Sequence, residues 1–470
     1  MNIRNPRTGQ YDYTIPDYTT DEVAHLCTTL KQHNTNWAAT TITQRIAALQ
    51  AWKQAILQHK QALLHAVTAD TGRIKESILE VDLIATSIDR WCGIAKDFFG
   101  PIEQLKTSIP YIQLQQAIVP YALVGVISPW NFPILLALID TIPALLAGCS
   151  VLVKPSEITP RCVVPLQATI NEVPLLSQAC TIIQGGGSVG AAMVQHCDII
   201  CFTGSTATGN KVYQAASQRL IPVFLELGGK DPAIVLNNAN LDLATSSILW
   251  GSTVNAGQSC LSIERVYVQQ GIYHAFVQMI VHKAKQINVN STNIHEGDVG
   301  PIIFEKQAHI INAQLQDALS KGAVLEYGNA QCTLIQGGYY CLPTILTHVN
   351  HTMLIMQQET FGPIIPIIPY NTIPQAIQLA NDSIYGLSAA VFAASTQEAM
   401  AVAQHIIAGA VSINDCALTA IMHEGEKNSF KQSGIGGTRM GPNAIKRFMK
   451  QKVYIVKDQA IPSPWWYQPL

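Results

Sequence analysis

The chain has 470 residues, which is too long for one compact core and indicates two or three domains. Hydrophobic residues make up 48% and charged residues only 13%, a combination that argues against a disordered chain. With 29 basic and 31 acidic residues the net charge is −2, which argues against a nucleic-acid or anionic-surface role for the chain as a whole.

The eleven cysteines indicate a reduced, intracellular protein. Their number is odd and no CxxC pair occurs, which argues against a disulfide framework or a zinc module. The 13 histidines form no HExxH motif, so no metal site is predicted. The first residues lack the apolar core of a signal peptide, and we therefore expect a cytoplasmic location.

The first predicted element is an amphipathic helix over Thr41–Asp70. Leu49, Trp52 and Ile56 recur in it at helical spacing, and Gly72 is expected to end it. Short apolar runs follow, each closed by Gly, Pro, Ser or Asn, with helical stretches between most of them. This alternation predicts a mostly parallel sheet covered by helices.

The apolar runs form two sets, and we expect a second α/β domain to start near residue 228. Residues 269–345 show no clear pattern. The predicted strands are Ala122–Ile127, Ser150–Val153, Ile199–Phe202, Val223–Leu227 and Ala233–Leu236, then Arg265–Val268, Ile364–Ile368, Ser388–Ala393 and Gly409–Ile413. The predicted helices of the second set are Asn240–Ala256 and Gln397–Ile407.

Residues 129–133, PWNFP, follow the first predicted strand. Two prolines restrict the turn around Asn131, and a rigidly held amide can donate a hydrogen bond to a developing oxyanion. Alternatively, Asn131 only satisfies backbone groups of the loop. The apolar stretch Ile134–Val153 comes next. Polar residues and a proline interrupt it, so we expect a buried helix and a buried strand rather than a membrane span.

Residues 154–157, KPSE, follow the next predicted strand. Lys154 and Glu157 can both bond the hydroxyls of a ribose, and the carboxylate repels a 2′-phosphate, which favours NAD over NADP. The alternative is an ion pair on the surface.

Residues 202–209, FTGSTATG, lie between a predicted strand and a helix. Gly204, Ser205 and Gly209 could offer N–H groups and a hydroxyl to a pyrophosphate at the helix N-terminus. The segment is not a GxGxxG fingerprint, and by itself it is weak evidence.

Two motifs carry candidate catalytic groups. In residues 226–230, ELGGK, Glu226 ends an apolar run and could act as a general base on water; alternatively it pairs with Lys230 or caps a turn. In residues 255–260, NAGQSC, Cys260 comes just after a predicted helix, a position that suits a nucleophile. Alternatively it is one more small buried hydrophobic residue.

Residues 358–363, QETFGP, are the last of these motifs. Glu359 could hold a second ribose, and Phe361 could form the wall beside a flat ring. The alternative is the start of a strand with one exposed glutamate.

These motifs are specific only as a set. PWNFP, KPSE, FTGSTATG, ELGGK, NAGQSC and QETFGP stand in the order found in the aldehyde dehydrogenase superfamily, which the chain resembles from about residue 10 to residue 455. The resemblance implies NAD(P)-dependent oxidation of an aldehyde to a carboxylic acid without acylation of CoA. It also implies the cofactor, NAD, with NADP as the alternative.

By the same resemblance, Cys260 is the nucleophile, which forms a thiohemiacetal and, after hydride transfer, a thioester. Asn131 and the Cys260 N–H would form the oxyanion hole, and Glu226 would activate the water that hydrolyses the thioester. The residues assigned to the cofactor are Lys154, Glu157, Gly204, Ser205, Glu359, Phe361 and Trp130.

The implied substrate pocket is largely apolar and contains no basic residue. An aliphatic or aromatic aldehyde is therefore favoured over one that bears a carboxylate, which usually requires an arginine. The pocket residues implied by similarity are Leu135, Leu136, Ile139, Ser259 and Leu261.

The resemblance implies an α/β fold in three parts and a homodimer or homotetramer. A Rossmann-type cofactor domain would cover residues 1–105 and 121–226, and an α/β catalytic domain residues 227–448. A small β oligomerisation element would use residues 106–120 and 449–470.

The sequence departs from the family pattern at two places. Thr438 and Arg439 stand where many relatives have an Arg-Glu pair, and Ile139 and Asp140 stand where relatives often have a Trp-Lys pair. These changes leave the proposed chemistry intact but weaken any assignment of the substrate by analogy.

The segment Lys427–Lys457 contains eight basic residues and no Asp or Glu. Ile445, Phe448 and Met449 give it the apolar face of a predicted helix, and aromatic residues follow. We favour packing at a subunit interface; the alternative is peripheral contact with an anionic membrane surface.

Two other functions stay open. The first is a CoA-acylating aldehyde dehydrogenase, against which Glu226 argues because the hydrolytic base is commonly missing in such relatives. The second is a non-catalytic protein of the same fold, against which the presence of Cys260, Glu226 and Asn131 argues.

Overall fold

The structure is a computed structural model that describes residues 1–99, 107–457 and 459–467. The predicted domain boundary at 105/106 and parts of the predicted oligomerisation element, residues 106, 458 and 468–470, lie outside these residues. Within them, no helix has both the length and the apolar character needed to cross a membrane.

The described residues alternate between helices and strands along the whole chain. The helices are α1 Thr20–Ala38, α2 Ile42–Gln58, α3 Lys60–Thr71, α4 Lys75–Phe98, α5 Leu135–Ala147, α6 Val163–Asn171, α7 Pro174–Ser177, α8 Gly187–His196, α9 Thr206–Ser217, α10 Leu241–Thr253, α11 Tyr273–Ala284, α12 Glu305–Ser320, α13 Leu354–Gln357, α14 Ile373–Asn381 and α15 Thr396–Ala403. The strands are β1 Asn2–Arg4, β2 Tyr11–Thr14, β3 Ile112–Pro120, β4 Leu123–Ile127, β5 Ser150–Lys154, β6 Cys180–Ile182, β7 Ile199–Thr203, β8 Val223–Glu226, β9 Asp231–Val235, β10 Ile263–Gln269, β11 Val324–Tyr327, β12 Thr333–Ile335, β13 Gly338–Tyr340, β14 Thr344–Thr347, β15 Ile364–Tyr370, β16 Tyr385–Gly386, β17 Ser388–Phe392, β18 Ala410–Ile413, β19 Phe430–Lys431, β20 Gly434–Ile435 and β21 Met449–Lys457.

The prediction of one helix over residues 41–70 is wrong, because the segment forms two helices, α2 and α3. The chain leaves helical geometry at His59, with φ −91° and ψ 9°. The outer ends follow local signals: Thr41 and Gln44 form a reciprocal capping box, and Gly72 ends α3 in the left-handed conformation at φ 68°.

The first sheet has six strands in the order β20-β8-β7-β4-β5-β6. The five strands from β8 to β6 are parallel, and the short edge strand β20 runs antiparallel to β8. Residues 134–153 form the buried helix α5 and most of the buried strand β5, as predicted. The first four predicted strands lie within one residue of β4, β5, β7 and β8 at both ends. The fifth, Ala233–Leu236, corresponds to β9, which starts two residues earlier and belongs to the second sheet.

The second sheet has seven strands in the order β11-β14-β15-β10-β9-β17-β18, with β11 antiparallel at one edge. The predicted helix Asn240–Ala256 is shorter, because α10 ends at Thr253 and a 3-10 turn follows. The predicted helix Gln397–Ile407 ends earlier as well, at Ala403. Residues 269–345, whose sequence shows no clear pattern, contain α11 and α12. The change of sheet lies between Glu226 and Asp231, and the division into domains stays a prediction.

A separate two-stranded sheet joins β3 to β21 in antiparallel register from Met449↔Pro120 to Lys457↔Ile112. The predicted helix with Ile445 and Phe448 is a 3-10 helix, Pro442–Phe448, and Met449 already belongs to β21. Ile445 and Phe448 are fully buried. Several large apolar side chains of this sheet are exposed instead, namely Ile118, Val119, Val453, Tyr454, Ile455 and Val456.

Candidate active site

A cavity opens where the ends of β7 and β8 meet the loops that precede β10 and β15. The space between its walls, including the open mouth, is about 520 Å³. The residues that line it are Pro129, Trp130, Asn131, Leu136, Thr203, Gly204, Ser205, Glu226, Leu227, Gly228, Cys260, Gln307, Glu359 and Phe361.

Nine of the fifteen predicted site residues therefore share one cavity. The other six are not part of its lining: Lys154, Glu157, Leu135, Ile139, Ser259 and Leu261. Of the predicted substrate wall, only Leu136 lines the cavity.

Cys260 differs from the other cysteines. All eleven lie in the described ranges and are free thiols, but ten are buried, whereas Cys260 is half-buried and lines the cavity. Removal from bulk water raises the pKa of the Cys260 thiol to about 12, while the charge of Lys427 acts in the opposite direction. Access to the cavity, rather than the residue type, distinguishes this thiol from the buried ones.

The loop before Cys260 has an unusual backbone. Asn255, Ala256 and Gly257 are consecutive residues with φ between 53° and 69°, a region that non-glycine residues seldom adopt. A Cβ on Gly257 would lie 2.3 Å from the carbonyl carbon of Gly362. The NAGQSC loop therefore packs closely against the QETFGP loop. The positive φ values are a form of backbone strain that is common at functional sites.

Asn131 is buried and belongs to a network that sequence reasoning missed. Its Nδ2 donates to the backbone oxygen of Gln258 at 3.0 Å, and Asn255 Nδ2 donates to the backbone oxygen of Asn131 at 3.1 Å. Gln258 is fully buried and accepts from the N–H of Ile303. Since an amide nitrogen has two hydrogens, Asn131 keeps one for a ligand in the cavity.

Glu226 ends β8 and is half-buried at the cavity. Its Oε2 accepts a hydrogen bond from Ser429 Oγ at 2.8 Å. The predicted alternative of a Glu226–Lys230 pair is wrong: Lys230 Nζ donates to Glu264 Oε2 and to Thr360 Oγ1, both at 2.7 Å. Lys230 therefore anchors the QETFGP loop and leaves Glu226 to the cavity.

Glu359 approaches the same space from the other side. Its Oε1 accepts from the N–H of Gly229 at 2.9 Å. Desolvation and the nearby Glu264 raise the pKa of Glu359 to about 8, against the effect of that hydrogen bond and of Lys230. A Cβ on Gly228 would lie 2.7 Å from Glu359 Oε2, so the glycine makes room for the carboxylate.

Two aromatic rings stand beside this carboxylate. The ring centroids of Trp130 and Phe361 are 5.2 Å apart at 77°, an edge-to-face arrangement. Phe361 is held at φ 50°, and its N–H donates to Glu264 Oε1 at 2.8 Å. The cavity thus has an aromatic wall, in which the backbone contact with Glu264 fixes the position of Phe361.

Lys154 and Glu157 form an ion pair at 3.2 Å at the end of β5. The predicted surface pair is only partly correct, because the lysine is buried and also donates to the backbone oxygen of Gly185 at 2.8 Å. The Glu157 side chain stays one-third exposed. Near the cavity, the exposed Ser205 caps the N-terminus of α9.

The two departures from the family pattern contact each other. Asp140 accepts from Arg439 Nη2 at 2.5 Å and from Arg447 at 2.8 Å, and all three side chains are buried. Burial alone would raise the pKa of Asp140, but the two guanidinium groups hold it below its usual value. Arg439 also donates to Thr203 Oγ1 at 2.7 Å, at the cavity wall. Two of the eight basic residues of the C-terminal segment are therefore buried and share one carboxylate inside the protein.

Sequence comparisons give one consistent result. A family model described as the aldehyde dehydrogenase family matches residues 1–454. A protein of Mycolicibacterium smegmatis, provisionally named a succinate-semialdehyde dehydrogenase (NADP⁺), is 33% identical over 453 residues, 95% of this chain and 86% of that protein. A 3,6-anhydro-alpha-L-galactose dehydrogenase of Vibrio sp. is 30% identical over 97% of this chain and 95% of its own.

Solved structures agree with these sequences. The provisionally named aldehyde dehydrogenase PutA from Anabaena variabilis is 51% identical, with a TM-score of 0.98 and full coverage of both chains. A betaine aldehyde dehydrogenase from Staphylococcus aureus, solved with NAD⁺, is 30% identical with a TM-score of 0.93, covering 100% of this chain and 93% of its own.

Proposed function

The chain belongs to the aldehyde dehydrogenase family, and on that premise we propose that it oxidises an aldehyde to the carboxylic acid with NAD(P) and water. The observation that carries the proposal is the grouping of Cys260, Asn131 and Glu226 on one cavity. A nucleophile, an oxyanion donor and a base are the three groups that this reaction requires.

The first step uses the thiol and the amide. Cys260 Sγ forms a bond to the aldehyde carbon, the thiol proton passes to solvent, and the carbonyl oxygen becomes an oxyanion. Asn131 Nδ2 and the Cys260 N–H donate to that oxygen. Desolvation raises the pKa of the free thiol to about 12, and the charge of Lys427 acts against it in favour of the thiolate that forms this bond.

The residues present fit a nicotinamide dinucleotide. Glycines at 204 and 228 line the cavity without side chains, and the N-terminus of α9 is exposed beside it. Trp130 and Phe361 form a wall that suits a flat ring, and Glu359 offers a carboxylate for a ribose. A bound nicotinamide would supply the acceptor for the hydride of the carbon that is attached to sulfur, which would leave a thioester on Cys260.

The last step releases the acid. Glu226 takes a proton from water, the water oxygen bonds to the thioester carbon, and the bond between that carbon and Sγ breaks. The sulfur recovers a proton, and a carboxylic acid leaves. The half-burial of Glu226 and its position in the cavity lining support this role.

For the substrate we keep an apolar aldehyde as the first candidate, supported by Leu136 and the aromatic wall. Lys427 favours a second candidate, an aldehyde with a carboxylate. This half-buried lysine is close enough to Cys260 to lower the pKa of the thiol, and sequence reasoning did not place it at the site. The provisional name of the M. smegmatis relative points in the same direction.

The test follows reduced nicotinamide by absorbance, with NAD or NADP and a panel of hexanal, benzaldehyde and succinate semialdehyde. We expect wild type to turn over without CoA, and Cys260→Ala to lose activity. Glu226→Gln should slow steady turnover by about 10²–10⁴-fold, the usual share of a general base. A preference for succinate semialdehyde that disappears in Lys427→Met would replace the apolar candidate with the second one.

Other outcomes identify the rival functions. Turnover that requires added CoA would show a CoA-acylating enzyme. If no reduced nicotinamide forms with any aldehyde, with either cofactor or with added CoA, the result would support a non-catalytic relative. In either case the proposed hydrolytic reaction is overturned.

We also propose that the protein is a homo-oligomer. The support is the row of exposed apolar side chains on β3 and β21, which a second copy could cover. Light scattering should give the molar mass of a dimer or tetramer. The double substitution Val453→Lys and Ile455→Lys should lower the measured molar mass. A monomer that co-sediments with anionic liposomes would favour the membrane alternative.

A further inference from the structure

We propose that Ser429 is a positioning residue that orients Glu226 for the hydrolysis of the thioester. The observation is the hydrogen bond of 2.8 Å from Ser429 Oγ to Glu226 Oε2, across 203 residues of sequence. The inference rests on the proposed function, because it assigns a role within the last step of that reaction.

Backbone contacts hold the segment that contains Ser429 beside Glu226. Gly434 pairs with Glu226 in the antiparallel contact of β20 with β8, and the N–H of Leu227 donates to the backbone oxygen of Ser433 at 2.8 Å. A Cβ on Gly434 would lie 2.8 Å from the Cβ of Ser429. The same short segment therefore holds the backbone of Glu226 through β20 and its carboxylate through Ser429.

The hydrogen-bond donor to Glu226 is the neutral hydroxyl of Ser429, although cationic side chains lie nearby. Arg439 is close enough to Glu226 for the carboxylate to raise the arginine pKa, but its guanidinium donates to Asp140 and Thr203. Within the described residues, the one hydrogen bond to the Glu226 carboxylate comes from Ser429 and reaches Oε2. A hydroxyl donor can hold Oε2 in place without neutralising the group, and Oε1 is left to take a proton.

In the reaction, the orientation matters in one step. A water oxygen bonds to the thioester carbon, the C–S bond to Cys260 breaks, and one water proton passes to Glu226 Oε1. That proton returns to the sulfur or to solvent as the acid leaves. A carboxylate that rotates freely spends less time in line with the water, so losing the Ser429 contact should slow this step and leave thioester formation largely unchanged.

The test separates the two halves of the reaction with rapid mixing. Enzyme, NAD and the aldehyde that the panel ranks first are combined, and NADH is followed through the first turnover and the steady state. For Ser429→Ala we expect steady turnover to fall about tenfold, with the first-turnover rate within about twofold of wild type and one equivalent of NADH per active site. Ser429→Thr, which keeps the hydroxyl, should recover most of the rate. Asn428→Ala, an exposed neighbour, should match wild type.

A double variant shows whether Ser429 acts through Glu226. In the Glu226→Gln background, Ser429→Ala should change steady turnover by less than about twofold, because the group it positions is gone. An equal loss in both backgrounds, a parallel fall of first and steady turnover, or no fall at all would overturn the inference. Failure of Glu226→Gln itself to slow steady turnover would instead overturn the proposed function.

Discussion

Two loops carry a glutamate into the same cavity and hold it differently. In the ELGGK loop, Glu226 is half-buried and receives one side-chain hydrogen bond, from Ser429. In the QETFGP loop, Glu359 receives the backbone N–H of Gly229, and desolvation together with Glu264 raises its pKa to about 8.

The difference explains how one cavity can use two carboxylates. A base must exchange protons with water, so it suits a carboxylate that a single hydroxyl orients. A group that holds a ribose must stay still, so it suits a carboxylate fixed to a backbone N–H. Environment rather than residue type separates the two proposed roles.

The largest effect expected in this comparison comes from Gly228 and Gly229, the two glycines of the ELGGK loop. A Cβ on Gly229 would lie 2.3 Å from the backbone oxygen of Cys260, whereas one on Gly228 would meet only the side chain of Glu359. Gly229→Ala should therefore move the nucleophile loop and lower activity by about 100-fold or more. Gly228→Ala should lower it less, chiefly through weaker cofactor binding. Steady-state kinetics of both variants with both cofactors measures this difference. Equal losses of activity in Gly229→Ala and Gly228→Ala would contradict the prediction.

A smaller effect is expected on the rate at which Cys260 is alkylated, which depends on the charged groups around the thiol. Lys427 lowers the pKa of Cys260, while Glu359 and, more weakly, Glu226 raise it. At pH 9.5, where Glu359 is ionised, Lys427→Met should slow alkylation by iodoacetamide and Glu359→Gln should speed it. Glu226→Gln should speed it less. We expect each change to stay within about tenfold, or one pKa unit.

The alkylation assay has clear controls. The other ten cysteines are buried, so Cys260→Ala supplies the blank. Lys431→Met removes a nearby lysine that donates to the backbone oxygens of Asn381 and Ser383, and should leave the rate unchanged. Faster alkylation of Glu226→Gln than of Glu359→Gln would reverse the ranking.

The smallest effect is on stability. The pKa of Glu359 rises from 4.5 to about 8 on folding, so its contribution to stability is present below pH 4.5 and is lost as pH rises through 8. Glu359→Gln should therefore raise Tm relative to wild type at pH 9, and by much less at pH 5. Thermal unfolding at both values measures this, with the exposed Glu296→Gln as control. An equal change of Tm at both pH values would contradict the assignment.

Much of the fold could be predicted from the sequence because its signals are local. Most predicted strands of both sheets are mainly apolar runs closed by turn residues, and each predicted strand overlaps an observed one. The α/β fold expected from the motifs is confirmed. The break at His59 was missed because the apolar spacing continues through it and no Gly or Pro marks it.

The site was predicted less evenly. Cys260, Asn131 and Glu226 stand in recognisable motifs, and the structure brings them to one cavity. Ser429 and Lys427 stand in no such motif, so no local pattern marks them. The two departures from the family pattern, Asp140 and Arg439, were seen separately, but only the structure shows that they form one buried ion pair.

The sequence by itself determined which chemical groups this protein has and roughly where strands and turns place them. Those features depend on residue types a few positions apart, which a single chain displays directly. The tertiary structure alone decided the partners of each group: Lys230 binds Glu264 rather than Glu226, and Ser429 reaches Glu226 instead. Such contacts depend on how β20 pairs with β8 and how two loops pack, and these join residues up to about 200 positions apart through geometry that no short segment encodes.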